Sequence, residues 1–560
     1  MKNLLLFCLA ILLSGATTAQ EIFQATLSGR QEVNAVATPG TGSITAELTG
    51  NTLVVSGLFS KMSSAFDATV AGGSHLHIAP AGTNGGIAFT LVPILDPNLL
   101  GGAFVAATNT FTLSNEQVNQ LRNGEFYANI HTLTNGGGEL RGQLLPEGDA
   151  YYWANLFGSN EVPAVMTEAY GALAFTVTGD QLVATGSFSN LSSALATQIA
   201  GGVHLHIASP GSNGGVAIVL NPTVDVDGLN GTFLAVDNTF TLTSEQQTAL
   251  ESGNMYVNIH SANFQGGELR GQVLAPGRTV FRAHLAAANE IPLTTSLASG
   301  QILLTLTDTD LIVTGRFGGL ESDIAIAIAG GIHLHSAVAG NNGGVVIPLT
   351  IDIDTDNRGA TVEAISNTYP LTPDIEEALF NRGFYVNIHT LDNQSGELRG
   401  QVLPECQYVL TAPLTGTQEI PDVSTSAYGM IKLEVSGNRA IASGSFSNLS
   451  STLNTGIAGG AHIHMGLPGQ TGGVVFLLAS ETDADLLNGV FRPAANTYTL
   501  DAGQRAALRA RGMYVNIHSL TNAGGELRGN LMGESANYFF APLSGVSEAV
   551  PVKTAARGMI

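Results

Sequence analysis

Cysteine is almost missing from this chain: Cys8 and Cys406 are the two among 560 residues. Cys8 sits inside an N-terminal apolar run, and loss of that run would leave Cys406 alone, which excludes an intramolecular disulfide framework. Cationic charge is scarce as well. The 21 Lys and Arg face 44 Asp and Glu, a net charge of -23 spread along the chain without a basic patch, which argues against a nucleic-acid partner and suits an extracellular surface. Long apolar stretches stop after residues 4–13, too short to span a bilayer comfortably, so no transmembrane segment is expected in the mature chain. Preceded by Met1, Lys2 and Asn3 and followed by Thr17, Thr18 and Ala19, that run reads as a secretory signal over 1–19. The expected location is therefore secreted or cell-surface. No G-x-S-x-G, phosphate loop or paired-carboxylate pattern stands out, so no catalytic residue is nominated and enzymatic activity stays open.

What is abundant is glycine and repetition. Sixty-eight glycines, 20 prolines and 44% hydrophobic residues favour many short strands joined by tight turns, an all-β chain. Twelve of 13 histidines fall on three positions that recur every 129 residues, a period of domain size and far longer than that of solenoid repeats. The register divides the chain into units at 21–147, 150–276, 279–404 and 408–534, with 537–560 as the truncated opening of a fifth, marked by Glu548. The units are expected as beads on short linkers, each a β-sandwich of about seven or eight strands with one short helix. Ser114, Thr243, Thr372 and Asp501 share one repeat position and are expected to cap those helices.

Alternation fixes which way the histidines point. In the segment Tyr127 to His131, residues 127, 129 and 131 share one face of a strand and Ala128 and Ile130 the other. The other units place Val257 and Ile259, Val386 and Ile388, and Val515 and Ile517 on that second face, so it is the core side and the histidines face outward. The same holds for His75 and His77 around Leu76. In Gly138 to Gly142, Leu140 goes inward, leaving Glu139 and Arg141 outward. Each unit thus offers three imidazoles on one outer face: His75, His77 and His131; His204, His206 and His260; His333, His335 and His389; His462, His464 and His518. Two imidazoles at i and i+2 plus a third from another strand match the three-His shell of an open metal site. The supporting side chains are Tyr127, Asn129, Glu139 and Arg141; Tyr256, Asn258, Glu268 and Arg270; Tyr385, Asn387, Glu397 and Arg399; and Tyr514, Asn516, Glu526 and Arg528. Two readings stand, a copper or zinc ion in every repeat, or a hydrogen-bonded polar cluster that pins loops to the sheet. Copper is preferred over zinc for an imidazole-only shell by affinity order, and ring nitrogens about 3 to 4 Å apart are expected.

Other candidates are poorer. Asp96, Asp225, Asp354 and Asp483 are in register, but no unit completes a calcium loop, and solvated turns account for them. His284 is out of register and is expected at the surface. Cys406 lies in a linker without a neighbouring base.

The residues Ala71 to His77, Asn84 to Ile87, Tyr127 to Thr132 and Gly138 to Gln143, together with Gly158 to Pro163 and Gly416 to Pro421, resemble the CHRD domain, the module named after chordin. The resemblance covers four units and implies a secreted protein with an immunoglobulin-like or Greek-key β fold and no established enzymatic activity; the partner expected is an unidentified extracellular protein or matrix ligand. Chordin's cysteine-rich growth-factor-binding companions have no counterpart here. The signal and uninterrupted array look bacterial, of the kind found on cell surfaces, and the whole reads as a binding, adhesion or structural protein. The histidine pattern is also similar to that of copper–zinc superoxide dismutase. That analogy implies copper at His75, His77 and His131 and an anion-attracting Arg141, but the bridging histidine, zinc ligands and disulfide have no equivalents.

Overall fold

The computed structural model describes residues 19–544, 547–550, 552–554 and 557–559. Residues 1–18, nearly all of the segment read as a signal, lie outside these, as do parts of 537–560. The chain is all-β, with four curled antiparallel sheets and one short α-helix in each repeat.

The first repeat shows the plan. Its strands are β1 (Gln20–Ser28), β2 (Thr41–Thr49), β3 (Thr52–Ser60), β4 (Ser74–Ile78), β5 (Gly86–Thr90), β6 (Pro93–Leu95), β7 (Gly102–Phe104), β8 (Thr110–Thr112), β9 (Phe126–Ile130), β10 (Leu140–Gln143) and β11 (Leu145–Pro146), with helix α1 (Asn115–Arg122) before β9. Across the sheet they run β5-β4-β9-β10-β1-β2-β3-β7-β6, with β11 beside β1 and β8 beside β3. β3 and β4 are neighbours in sequence but lie on opposite wings, so residues 61–73 cross over while the sheet curls. Leu53, Val55 and Phe59 of β3 then meet Leu76 of β4, Ala128 and Ile130 of β9 and Leu140 of β10 in one core. The ten or eleven strands per sheet exceed the seven or eight read from sequence. Strands of two or three residues, such as β7 and β11, are too short to show an alternation.

Local signals were obeyed. Thr49 pairs with Thr52 across Gly50-Asn51, the expected hairpin turn. Ser114, Thr243, Thr372 and Asp501 each accept from the backbone N–H three residues on, as helix caps do. α1 then buries Val118 and Leu121 against the core.

The units touch one another beyond their short linkers. Arg278 Nη1 donates to Pro39 O at 2.9 Å, Arg382 pairs with Glu434 at 2.8 Å and Arg282 with Glu534 at 2.6 Å, these last two pairs being almost wholly buried. His284, expected at the surface, lies beside this charged contact with an inaccessible Nε2, and burial lowers its pKa. Cys406 is a buried free thiol whose pKa burial pushes up.

Candidate metal centre

The site forms where β4 and β9 pair, His75 opposite Asn129 and His77 opposite Tyr127. A bulge in the β4–β5 ladder falls between Leu76 and His77. The extra residue, Ala88, belongs to β5, so alternation along β4 is unbroken and both histidines stay on one face. His131 lies just beyond β9, its N–H donating to Gly73 O at 2.9 Å. Outward from the core does not mean exposed. Loops cover this face so completely that Tyr127, Asn129, Glu139 and Arg141 are buried, and so are His75 and His131. The expectation of an open outer face is corrected in that respect.

In each repeat one nitrogen from each of the three imidazoles lies within 4.8 Å of the others. Backbone carbonyls fix the ring orientations. His206 Nδ1 meets Gly214 O at 2.8 Å, His260 Nδ1 meets Gln265 O at 2.9 Å and His204 Nδ1 meets Ala200 O at 3.3 Å. A carbonyl only accepts, so each Nδ1 carries the proton and each Nε2 presents a lone pair. The lone pairs face one another: His260 Nε2 is 2.9 Å from His204 Nε2, and the corresponding pairs His389–His333 and His518–His462 are 3.0 Å apart. The third nitrogens, His206 Nε2 and His335 Nε2, are buried without any partner. In the first repeat the His75 ring is turned over, with Nε2 on Ala71 O at 2.8 Å and Nδ1 left buried and unpartnered, as are His77 Nε2 and His131 Nε2.

Protons do not resolve this arrangement at neutral pH. Burial, aided by the neighbouring imidazoles, lowers the pKa of His77 and of His206 to about 4, and that of His333 likewise. Burial also lowers the pKa of His131, His260, His389 and His518. Two donors bonded to one ion at ~2.0–2.1 Å stand about 2.9 Å apart when the bonds open by roughly 90° and about 3.3 Å apart at the tetrahedral angle. The closest pair in the second, third and fourth repeats, 2.9–3.0 Å apart, matches the smaller figure, and neutral imidazole suits copper or zinc.

The supporting residues hold the rings. His77 stacks on Tyr127 with centroids 4.9 Å apart and planes at 7°, and the Arg141 guanidinium lies 3.5 Å over the other side of the tyrosine. Stacks of the same kind join His206, Tyr256 and Arg270, His335, Tyr385 and Arg399, and His464, Tyr514 and Arg528. Tyr127 Oη accepts from Gly85 N at 3.1 Å, fixing the turn whose carbonyl orients His77. That turn needs glycine for space: a Cβ on Gly85 would stand 1.9 Å from Ile78 O. Arg141 is not the anion collector suggested by the dismutase analogy. Its guanidinium is fully buried and donates to Thr83 O, Asn84 Oδ1, Pro80 O and Gln143 Oε1.

Glu139 is a hub instead of a ligand. It accepts from Thr38, from Ser63 N and Oγ, and from Thr132, pinning the loop that carries Gly136 O to His131. Glu268, Glu397 and Glu526 do the same in their repeats. Glu32, Glu161, Glu290 and Glu419, legible in the sequence as the glutamates that open each unit but not as site residues, belong to the site as well. Glu32 accepts from Asn129 Nδ2 at 3.0 Å, Glu290 from Asn387 at 3.1 Å and Glu419 from Asn516 at 3.0 Å. Burial raises their pKa to about 8 for Glu32 and Glu161, and about 7 for Glu290 and Glu419. Their 129-residue spacing was the available signal. Of the aspartates read as solvated turns, Asp225 Oδ2 accepts from Asn230 at 2.8 Å and Asp483 Oδ1 from Leu487 N at 3.1 Å, each bracing its turn, while Asp354 pairs with Arg316 at 2.6 Å. Among the described residues, the His trios are the groups of three or more close His, Cys, Asp or Glu side chains that could hold a metal.

Residues 23–144, 152–273, 281–402 and 410–531 each match the family model described as the CHRD domain. No curated protein matches the chain.

Proposed function

The chain belongs to the CHRD domain family, and from that premise we propose that it is a secreted or cell-surface array of binding modules, non-enzymatic, each repeat holding one copper or zinc ion between its three histidines. The observation that carries the metal is the pair of facing Nε2 atoms 2.9–3.0 Å apart in three repeats, on rings whose Nδ1 atoms are turned to carbonyls. Two lone pairs at that distance repel unless a cation lies between them, and depressed pKa values leave the proton a poor candidate at pH 7. Buried Glu139 and its equivalents support the second reading, a structural cluster, but they brace loops and leave the nitrogens unsatisfied. An extracellular partner fits a chain whose described residues include no helix long and apolar enough to cross a membrane.

Metal content decides between the readings. Saturation with Cu(II) or Zn(II), desalting and elemental analysis should return about four equivalents per chain, and about three for His206→Ala. Less than about 0.2 equivalents in the unaltered chain would leave only the structural cluster.

A further inference from the structure

The third and fourth repeats meet through small residues: Ser445 Oγ donates to Ala339 O at 2.8 Å, and a Cβ on Gly340 would stand 2.9 Å from Met430 N. One long side chain enters this contact. Lys432 lies on the strand Tyr428–Ser436, whose Ile431 and Leu433 fill the core of the fourth repeat, so by alternation it points away from that core and under the third repeat. It stands where the other repeats have Thr45, Ala174 and Leu303. Only 2% exposed, it donates from Nζ to Asn289 Oδ1 of the third repeat at 2.7 Å and to Thr411 Oγ1 at 2.8 Å. Both partners are neutral, and a buried lysine bonded to neutral groups disfavours the ammonium form. Burial, with Arg282 and Arg399 nearby, lowers the pKa to about 8 against the pull of Glu534. A fraction of the amine is therefore unprotonated near neutral pH and carries the lone pair of a nucleophile.

Asn289 presents its carbonyl to that amine. Its Nδ2 donates to His284 O at 3.2 Å and to Arg399 O at 3.0 Å, and since a carbonyl only accepts, the amide is held with Oδ1 toward Lys432. Cγ lies one carbonyl bond, about 1.23 Å, from that oxygen. A small side-chain rotation then brings Nζ to a near-attack separation of about 3–3.5 Å. Asn289 and Thr411 are buried as well, which keeps water from competing for the amide.

We infer that Lys432 and Asn289 form an isopeptide bond that ties the third repeat covalently to the fourth. The unprotonated Nζ attacks Cγ of Asn289, so that the Nζ–Cγ bond forms and the Cγ–Nδ2 bond breaks. One proton passes from Nζ to Nδ2, which leaves as ammonia, and no oxidant or co-reactant is consumed. The step uses none of the His trios, so metal-free protein serves for the test. The full chain is incubated at pH about 8, where the amine is half unprotonated, then digested with trypsin and read by tandem mass spectrometry. Peptide 283–316, which carries Asn289, should appear joined to 400–439, in which Lys432 stays uncleaved because its amine is acylated. The joined species should weigh one ammonia less than the sum of the two. Lys432→Met keeps an unbranched side chain at the buried position, with folding checked by circular dichroism, and should release 283–316 as a linear peptide. Asn289→Ala should do the same and restore cleavage after Lys432. Linear 283–316 and 400–432 from the folded, unaltered chain would overturn the inference. So would a loss of ammonia that persists in Lys432→Met, which marks Asn289 closing on its own backbone.

Discussion

At the scale of single residues, the site is governed by which atoms are left without partners. Carbonyls take every Nδ1 in the second, third and fourth repeats, so the Nε2 atoms have only one another. The opening glutamates carry a separate consequence. Their folded-state pKa values of about 7 to 8 lie above the usual 4.5, so the folded protein holds more protons than the unfolded chain between those limits. That contribution is fully present below about 4.5 and is lost as pH rises through 7 to 8. Histidines such as His206, lowered from 6.5 to about 4, act in the opposite direction but only below about pH 6.5. The metal-free protein should therefore lose stability between about pH 6.5 and 8.5, seen as a falling denaturant midpoint, and Glu161→Gln should remove part of the fall. A flat profile, or one unchanged by the substitution, would contradict the assignment.

At the scale of elements, much was legible because strand and helix signals are local. Alternation placed Ile130, Leu76 and Leu140 in the core and the histidines opposite, and cap residues marked each helix start. Burial of the outer face was not legible: nothing in the strand pattern says that loops 80–85 and 132–138 fold back over Tyr127 and Arg141. The clue was composition, since an Arg that must sit outward yet lies among glycines has room to be covered. Loop geometry then becomes testable through Gly214, whose Cβ would stand 2.0 Å from Ile207 O. Gly214→Ala should push the turn away, free His206 Nδ1 and lower metal content by about one equivalent while the strands persist. Full metal content in a folded variant would show that this turn does not position the ring.

At the scale of the whole molecule, the period divided the chain but hid its packing. Interfaces built of Ser, Gly and a few Arg–Glu pairs look like ordinary surface in a sequence. The signal lay in positions where repeats differ, such as Lys432 against Leu303. Arg382 and Glu434 illustrate the energetics: both are buried where the third and fourth repeats meet, so Glu434→Ala leaves an uncompensated charge at a cost of about 3–5 kcal/mol. The expected result is a separate, earlier unfolding transition and new proteolytic cleavage near residues 404–407. Unchanged cooperative unfolding would mean that the pair contributes little to docking.

The central claim, one ion held by three imidazoles in each repeat, is tested most directly by crystals of the metal-loaded protein and anomalous diffraction on either side of the copper or zinc edge. Four peaks are predicted, one in each His trio, about 2.0–2.1 Å from three ring nitrogens, with Tyr127 and its equivalents stacked beside them. Trios without anomalous density at saturating metal would contradict the account.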